Sequence, residues 1–182
     1  MENVKSGYEY LLAYKLTVPI YDYTVVFCDR NINKFSRTLD QMVQAARSGM
    51  QNISEGNKQQ GMKGYIKLSG VARGSLEELL KDYCAFLRQN KLQIWDKERA
   101  KKEIGEIREI WKILNDSSTL SANPNFPDLP DDPEKAANLM ITLIHQANYL
   151  IDKLIMSLKE KHMKTGGLTE ELYNKRRSYR GY

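Results

Sequence analysis

RTLDQMVQAARSGMQNISEGN, residues 37–57, carries two patterns at once. Leu39, Met42, Val43, Ala46, Met50 and Ile53 recur at three- and four-residue spacing, so the segment reads as a helix with one apolar face. Gln41, Ser48, Asn52 and Glu55 occur at helical intervals too, which stacks them on a ridge beside that face. Such a ridge can be a helix–helix seam, in which paired polar groups set the register, provided each finds a partner. It can also be the wall of a ligand groove. We read it as a seam; an open hollow with converging acidic groups would overturn that reading. Thr38 and Gln41 have capping-box spacing at the start, and Gly56 is expected at the residue that stops the helix.

Working outward, nearly every segment repeats the helical period. A first helix is predicted from about Tyr8 to Cys28, with Leu12, Leu16, Ile20, Tyr23 and Phe27 as its stripe. Pro19 cannot donate to the carbonyl of Lys15, which predicts a kink or two abutting pieces. After the glycine-containing connector GNKQQGMKG comes a helix over 65–89, with Leu68, Val71, Ala72, Leu76, Leu79, Tyr83 and Phe86 on one face. Gly70 and Gly74 lie one turn apart within it. Each costs about 0.8–1 kcal/mol of helix propensity relative to alanine, which predicts that a neighbouring backbone approaches there. Asp96 caps a fourth helix bearing Ile104, Ile107, Ile110, Trp111 and Leu114. NDSSTLSANPNFPDLPDDP then breaks the pattern with four prolines. A fifth helix over 134–164 has a broad apolar face that must pack on the body or on another subunit. Gly166 and Gly167 end it, and Thr169 opens a short sixth helix with Glu170 and Glu171 in its first turn. No strand pattern and no internal repeat competes. The domain organisation predicted is a four-helix bundle over 1–115, a proline-rich linker over 116–133 and a helical C-terminal extension over 134–182.

The bulk numbers bound the function. A chain of 182 residues is one domain plus an appendage, and 41% hydrophobic with 28% charged residues is ordinary for a globular protein. Cys28 and Cys84 have no CxxC pairing and read as small hydrophobes in a reducing compartment. The first sixteen residues lack the apolar core of a signal peptide, and no run of eighteen apolar residues occurs, so a cytoplasmic protein without a membrane span is expected. The charge is localised. Residues 153–182 hold eight basic and three acidic side chains, which accounts for the whole net charge of +5.

Catalytic chemistry finds little support. Gly56 and Gly61 have the gap of a phosphate loop, but Met62 and Lys63 stand where lysine and serine or threonine are required. His145 and His162, the two histidines, have no carboxylates at ligand spacing, so neither metal nor cofactor is expected. His145 sits among apolar positions and reads as a hydrogen-bonded core residue. Glu55, Glu77, Glu78 and Asp82 are more simply solvated helix charges than an acid–base set. The basic residues are the better lead. Between Asn57 and Leu76 there are four cations (Lys58, Lys63, Lys67, Arg73) and no acid, and Arg37 and Arg47 are expected to border the same surface. At the other end NKRRSYRGY interleaves Lys175, Arg176, Arg177 and Arg180 with tyrosines, which combines phosphate attraction with base stacking. Helix-dipole complementation by a solvated tail is the plainer alternative.

Two stretches also resemble a known family. QMVQAARSGMQNISEG, with Gln41, Ser48, Asn52, Glu55 and Gly56, is similar to the first signature of the four-helix-bundle proteins encoded in intervening sequences of bacterial large-subunit ribosomal RNA genes. The same family includes the accessory variability determinant of diversity-generating retroelements. VARGSLEELLKDY, with Gly74, Ser75 and Glu78, resembles its second signature, and the C-terminal extension looks like the one that defines a suffix-domain branch. The resemblance implies an antiparallel, up-down-up-down bundle, a homo-oligomer (a pentamer in relatives), RNA or a reverse transcriptase as partner, and no catalytic residues. Where many relatives have a basic pair after the signature glutamine, this chain has Val43 and Gln44. Our reading is therefore an all-α antiparallel bundle with a helical extension, acting as a non-enzymatic RNA- or DNA-binding accessory protein. The rivals are a protein-assembly module without nucleic acid and an enzyme with its site between subunits.

Overall fold

The computed structural model describes residues 11–59, 61–116 and 124–181. The described residues form seven helices and no strand: α1 (Leu12–Asn31), α2 (Arg37–Asn57), α3 (Met62–Gln89), α4 (Lys97–Glu103), α5 (Glu106–Asp116), α6 (Pro133–Thr165) and α7 (Leu168–Arg180). The predicted start of the first helix at Tyr8 lies outside them. α1 continues through Pro19 without a break, and Pro19 is buried.

Four long helices make the bundle. α2 packs on α1 and α3, and α6 packs on α3 and α1, which closes a ring of four. Cross-contacts set the directions. Cys28 Sγ lies 3.9 Å from Met42 Sδ, and Ser48 meets Ser75. Arg73 reaches Asp152 while Asn148 approaches Glu77, and Arg30 at the end of α1 reaches Asp131 just before α6. Each neighbour thus runs opposite to the last, giving the expected up-down-up-down order.

The fourth wall is α6, whose buried Leu139, Met140, Leu143, Ile144, Ala147 and Ile151 fill the space between α1 and α3. The segment after Asp96 is two short helices, separated at Ile104 and Gly105, that lie outside the ring against α1 and α6. Asp96 does cap the first of them, accepting from Arg99 N at 2.8 Å. The physical reason for the exchange is length. α5 is 11 residues, about 17 Å, whereas α6 is 33 residues, about 50 Å, and only the longer rod can cover the 28 residues of α3.

The core between the diagonal helices α1 and α3 is aromatic. Phe27 meets the edges of Tyr83 and Phe86 with centroids 4.9 Å apart in both pairs. Tyr83, fully buried, donates its hydroxyl to Thr24 Oγ1 at 3.1 Å, and Thr24 in turn donates to the Ile20 carbonyl. Burial drives the Tyr83 hydroxyl pKa well above the tyrosine range and pushes the Cys28 thiol up to about 12. Neither group ionises near neutral pH, so both are core residues. Residues 124–132 are irregular yet docked, with Leu129 buried, Tyr23 donating to the Pro127 carbonyl and Arg30 to that of Leu129.

Candidate nucleic-acid interface

The ridge of α2 divides in two. Asn52 donates to Ser48 at both its carbonyl (2.8 Å) and its hydroxyl (3.0 Å), and the Ser48 and Ser75 hydroxyls lie 2.9 Å apart. Ser75 also donates to the Val71 carbonyl. This half-buried chain is the seam expected from the spacing, and it ties α2 to α3. Gln41 and Glu55 are exposed and belong to no seam. Gln41 instead lines an open groove of about 740 Å³ with Arg37, Gln44, Asp40, Glu78 and Asp82. The buried-seam reading fails there, because α3 faces these first turns of α2 with the carboxylates of exposed Glu78 and half-buried Asp82. Desolvation, then repulsion from Glu78, holds the Asp82 carboxyl above its ordinary range. The groove is acidic and repels phosphate. Its two hydroxyls, on Ser48 and Ser75, partner each other and Asn52 rather than a base. Among the described residues no group of histidine, cysteine and carboxylate side chains could hold a metal ion.

The glycines also trade places. Gly56 lies inside α2, and a Cβ there would stand 2.7 Å from the Tyr65 ring. A Cβ on Gly49 would stand 2.6 Å from Leu76 Cδ2. These two allow the close approach of α2 and α3 that was expected of Gly70 and Gly74, both of which are exposed with nothing within 4 Å. The N-cap of α2 is Ser36, which accepts from Thr38 N at 3.2 Å, and not Thr38. His145 is exposed rather than a core residue.

The predicted cations fall into three places. Lys58, Lys63 and Lys67 are exposed around the α2–α3 turn. Since Arg73 pairs with Asp152, antiparallel register brings the last turns of α6 level with the first turns of α3. Gly166, with φ of 73°, then turns the chain into α7. Glu170 accepts from Gly167 N at 2.8 Å and is held below the ordinary carboxylate range by the backbone amides of Glu170 and Gly167, and further by attraction to Lys63 and His162. The corner between α6 and α7 thus sits beside Lys63. Lys175, Arg176, Arg177 and Arg180 are exposed on α7, which forms no extensive interface with another described helix. The start of α7 therefore comes near the acid-free stretch at Lys63, and the four α7 cations lie five or more residues further along α7. Arg73 is not part of that surface; it bonds Glu77 at 2.8 Å and Asp152 at 3.2 Å and clamps α3 to α6. Arg37 stands at the opposite end of α2, twenty residues or about 30 Å away, beside the acidic groove. Arg47 is exposed between the two.

The α2–α3 pair, with Gln41, Ser48, Asn52, Glu55 and Gly56 on one helix and Gly74, Ser75 and Glu78 on the other, lies within the span matched by a sequence model of the 23S rRNA-intervening sequence proteins, residues 9–116. The chain belongs to that family. The match ends at the last residue of α5, so the intervening-sequence family model covers α1 to α5 but neither the closing helix α6 nor α7. This family is not known to be catalytic. Neither a curated protein nor a solved structure matches the chain. No helix among the described residues is long and apolar enough to cross a membrane. One feature of the site region escaped the sequence reading: Trp95, just before α4, and Trp111, on α5, face α6 across a second, apolar hollow. The close placing of two tryptophans among lysines and an arginine was its only signal.

Proposed function

We propose that this protein is a non-enzymatic, homo-oligomeric accessory protein that binds nucleic acid through the basic end formed by the α2–α3 turn, the last turns of α6 and α7. What supports the reading is exposed positive charge: Lys58, Lys63 and Lys67 around the α2–α3 turn, with the start of α7 near Lys63, and Lys175, Arg176, Arg177 and Arg180 along α7. The family description, 23S rRNA-intervening sequence protein, makes RNA the first polymer to test. Cations on long exposed side chains contact phosphates without reading bases, so binding is indifferent to sequence and steep in salt. Tyr179, 93% exposed, offers a ring on which a base can stack.

Anisotropy of a labelled single-stranded RNA across a salt series tests the proposal. Log K is expected to fall by about 0.7 per neutralised phosphate for each logarithmic unit of salt. Reversing Arg176, Arg177 and Arg180 to glutamate should weaken binding to all sequences and flatten the slope by roughly 2. Unchanged affinity and slope would remove α7 from the interface. A second reading, a protein-assembly module without nucleic acid, draws on exposed Leu172 and Tyr173 of α7. Purified protein free of bound nucleic acid, and inert towards RNA at low salt, would favour it.

A further inference from the structure

Between α4–α5 and the middle of α6 lies a half-enclosed hollow of about 880 Å³. That volume falls within the roughly 300–1,000 Å³ of small-molecule sites. Its walls are Ile104, Ile107, Ile141 and Leu150 with Trp95 and Trp111. Both indole N–H groups are taken within the protein: Trp111 Nε1 donates to Gln146 Oε1 at 2.8 Å and Trp95 Nε1 to Glu134 Oε1 at 2.6 Å. Their polar edges are thus satisfied, and carbon faces the hollow. The charged and titratable groups on the lining are Lys97, Lys101, Arg108 and His145, with the Tyr149 hydroxyl beside them. Among the described residues no carboxylate lines it.

We propose that this hollow binds an amphiphilic anion, a hydrocarbon body ending in a single carboxylate-type head. The body would lie along the stretch of α6 from Ile141 to Leu150, about 14 Å at helical rise, while the head meets the lysine and arginine rim. Charge complementarity selects this occupant: an apolar interior excludes a polar body, and a rim of cations without acids attracts an anionic end. A nucleobase fits less well. Among the neutral polar groups on the α6 wall, the Gln146 carbonyl oxygen is taken by Trp111 and the Thr142 hydroxyl by the Asn138 carbonyl, which leaves few partners for the donors and acceptors along the edge of a base. The site is separate from the basic end and does not depend on nucleic-acid binding.

The chain's two tryptophans both line the hollow, so intrinsic fluorescence reads it directly. The full-length protein is titrated with sodium dodecanoate below its micellar concentration, with dodecyltrimethylammonium as the cationic counterpart and circular dichroism to confirm an unchanged fold. The expected result is a saturable spectral change with dodecanoate and binding weaker by roughly tenfold or more for the cation. Thr142→Phe, which fills the hollow, should abolish the change. The surface variant Lys101→Glu/Arg108→Glu leaves the walls intact and should raise the dodecanoate Kd by about tenfold, an effect that shrinks in high salt. Equal affinity for the two chains, or dodecanoate binding that survives both variants, would overturn the proposal. So would a spectral change produced by a short RNA or an acidic amphipathic peptide and not by dodecanoate.

Discussion

Residues 133–151 of α6 and residues 152–165 belong to one unbroken helix and live in opposite surroundings. The first part is walled in by α1 and α3, with Leu139, Leu143, Ile144, Ala147 and Ile151 fully buried. The second part exposes Met156 and Met163 and carries lysines into the corner where α7 begins. A single rod therefore serves as core and as handle. The contrast teaches that stability and the proposed binding surface are separable along the chain: full burial ends at Ile151, and beyond it only Leu154 and Ile155 still pack on the core while most other side chains of α6 are exposed. An isolated helix of α7's 13 residues is marginal in water, which suits a segment that completes its packing on binding.

The comparison can be broken most directly in the core. Leu143→Ala should lower stability by about 2–5 kcal/mol, measured by denaturant melts, because it opens a cavity between α1, α3 and α6. Deleting residues 168–182 should change the unfolding free energy by no more than about 0.5 kcal/mol while weakening RNA binding. A large loss on that deletion would mean that α7 belongs to the core.

Next in size, Gly49→Leu should cost about 1–3 kcal/mol by forcing α2 away from Leu76. Its counterpart on the surface has the opposite sign. Gly74→Ala should stabilise by about 0.8–1 kcal/mol, since the added methyl meets nothing and only helix propensity changes.

The smallest expected effect is on pH dependence. Glu77 is held below the glutamate range by its hydrogen bond from Arg73, and Glu134 by those from Trp95 and then from the Gln93 amide. A depressed carboxylate contributes stability that is complete above its unfolded pKa and is lost as pH falls through the folded one. Asp22 and Asp82, raised by burial, work the other way and gain as pH falls. Thermal melts at acid pH should therefore show a shallow loss, flattened in Glu134→Gln and Glu77→Gln. Identical acid limbs in wild type and both variants would show that neither clamp matters.

Much of the helix inventory was legible because it is local. Asp96 caps as expected, α6 begins and ends within a residue of its predicted bounds, and Gly166 stops it with a positive φ. The proposed contact surface was legible only as charge. Lys63 and the α7 arginines are flagged by it, but Arg73 carries the same charge and forms an ion-pair clamp with Asp152, 79 residues away in sequence. The acidic groove and the shape of the tryptophan-lined hollow were not legible, because each is made by side chains of different helices whose distance and rotation no single helical period fixes.

Taken alone, the order of residues determined helical spacings, caps and breaks, hence which segments are helices, which face of each is apolar and where the positive charge lies. Tertiary packing decided which helix closes the bundle, which half of the α2 ridge is paired, and which glycines admit a neighbour. The reason is that periodicity orients a side chain about its own helix axis, whereas the distance and rotation of the next helix depend on the summed fit of all the faces together.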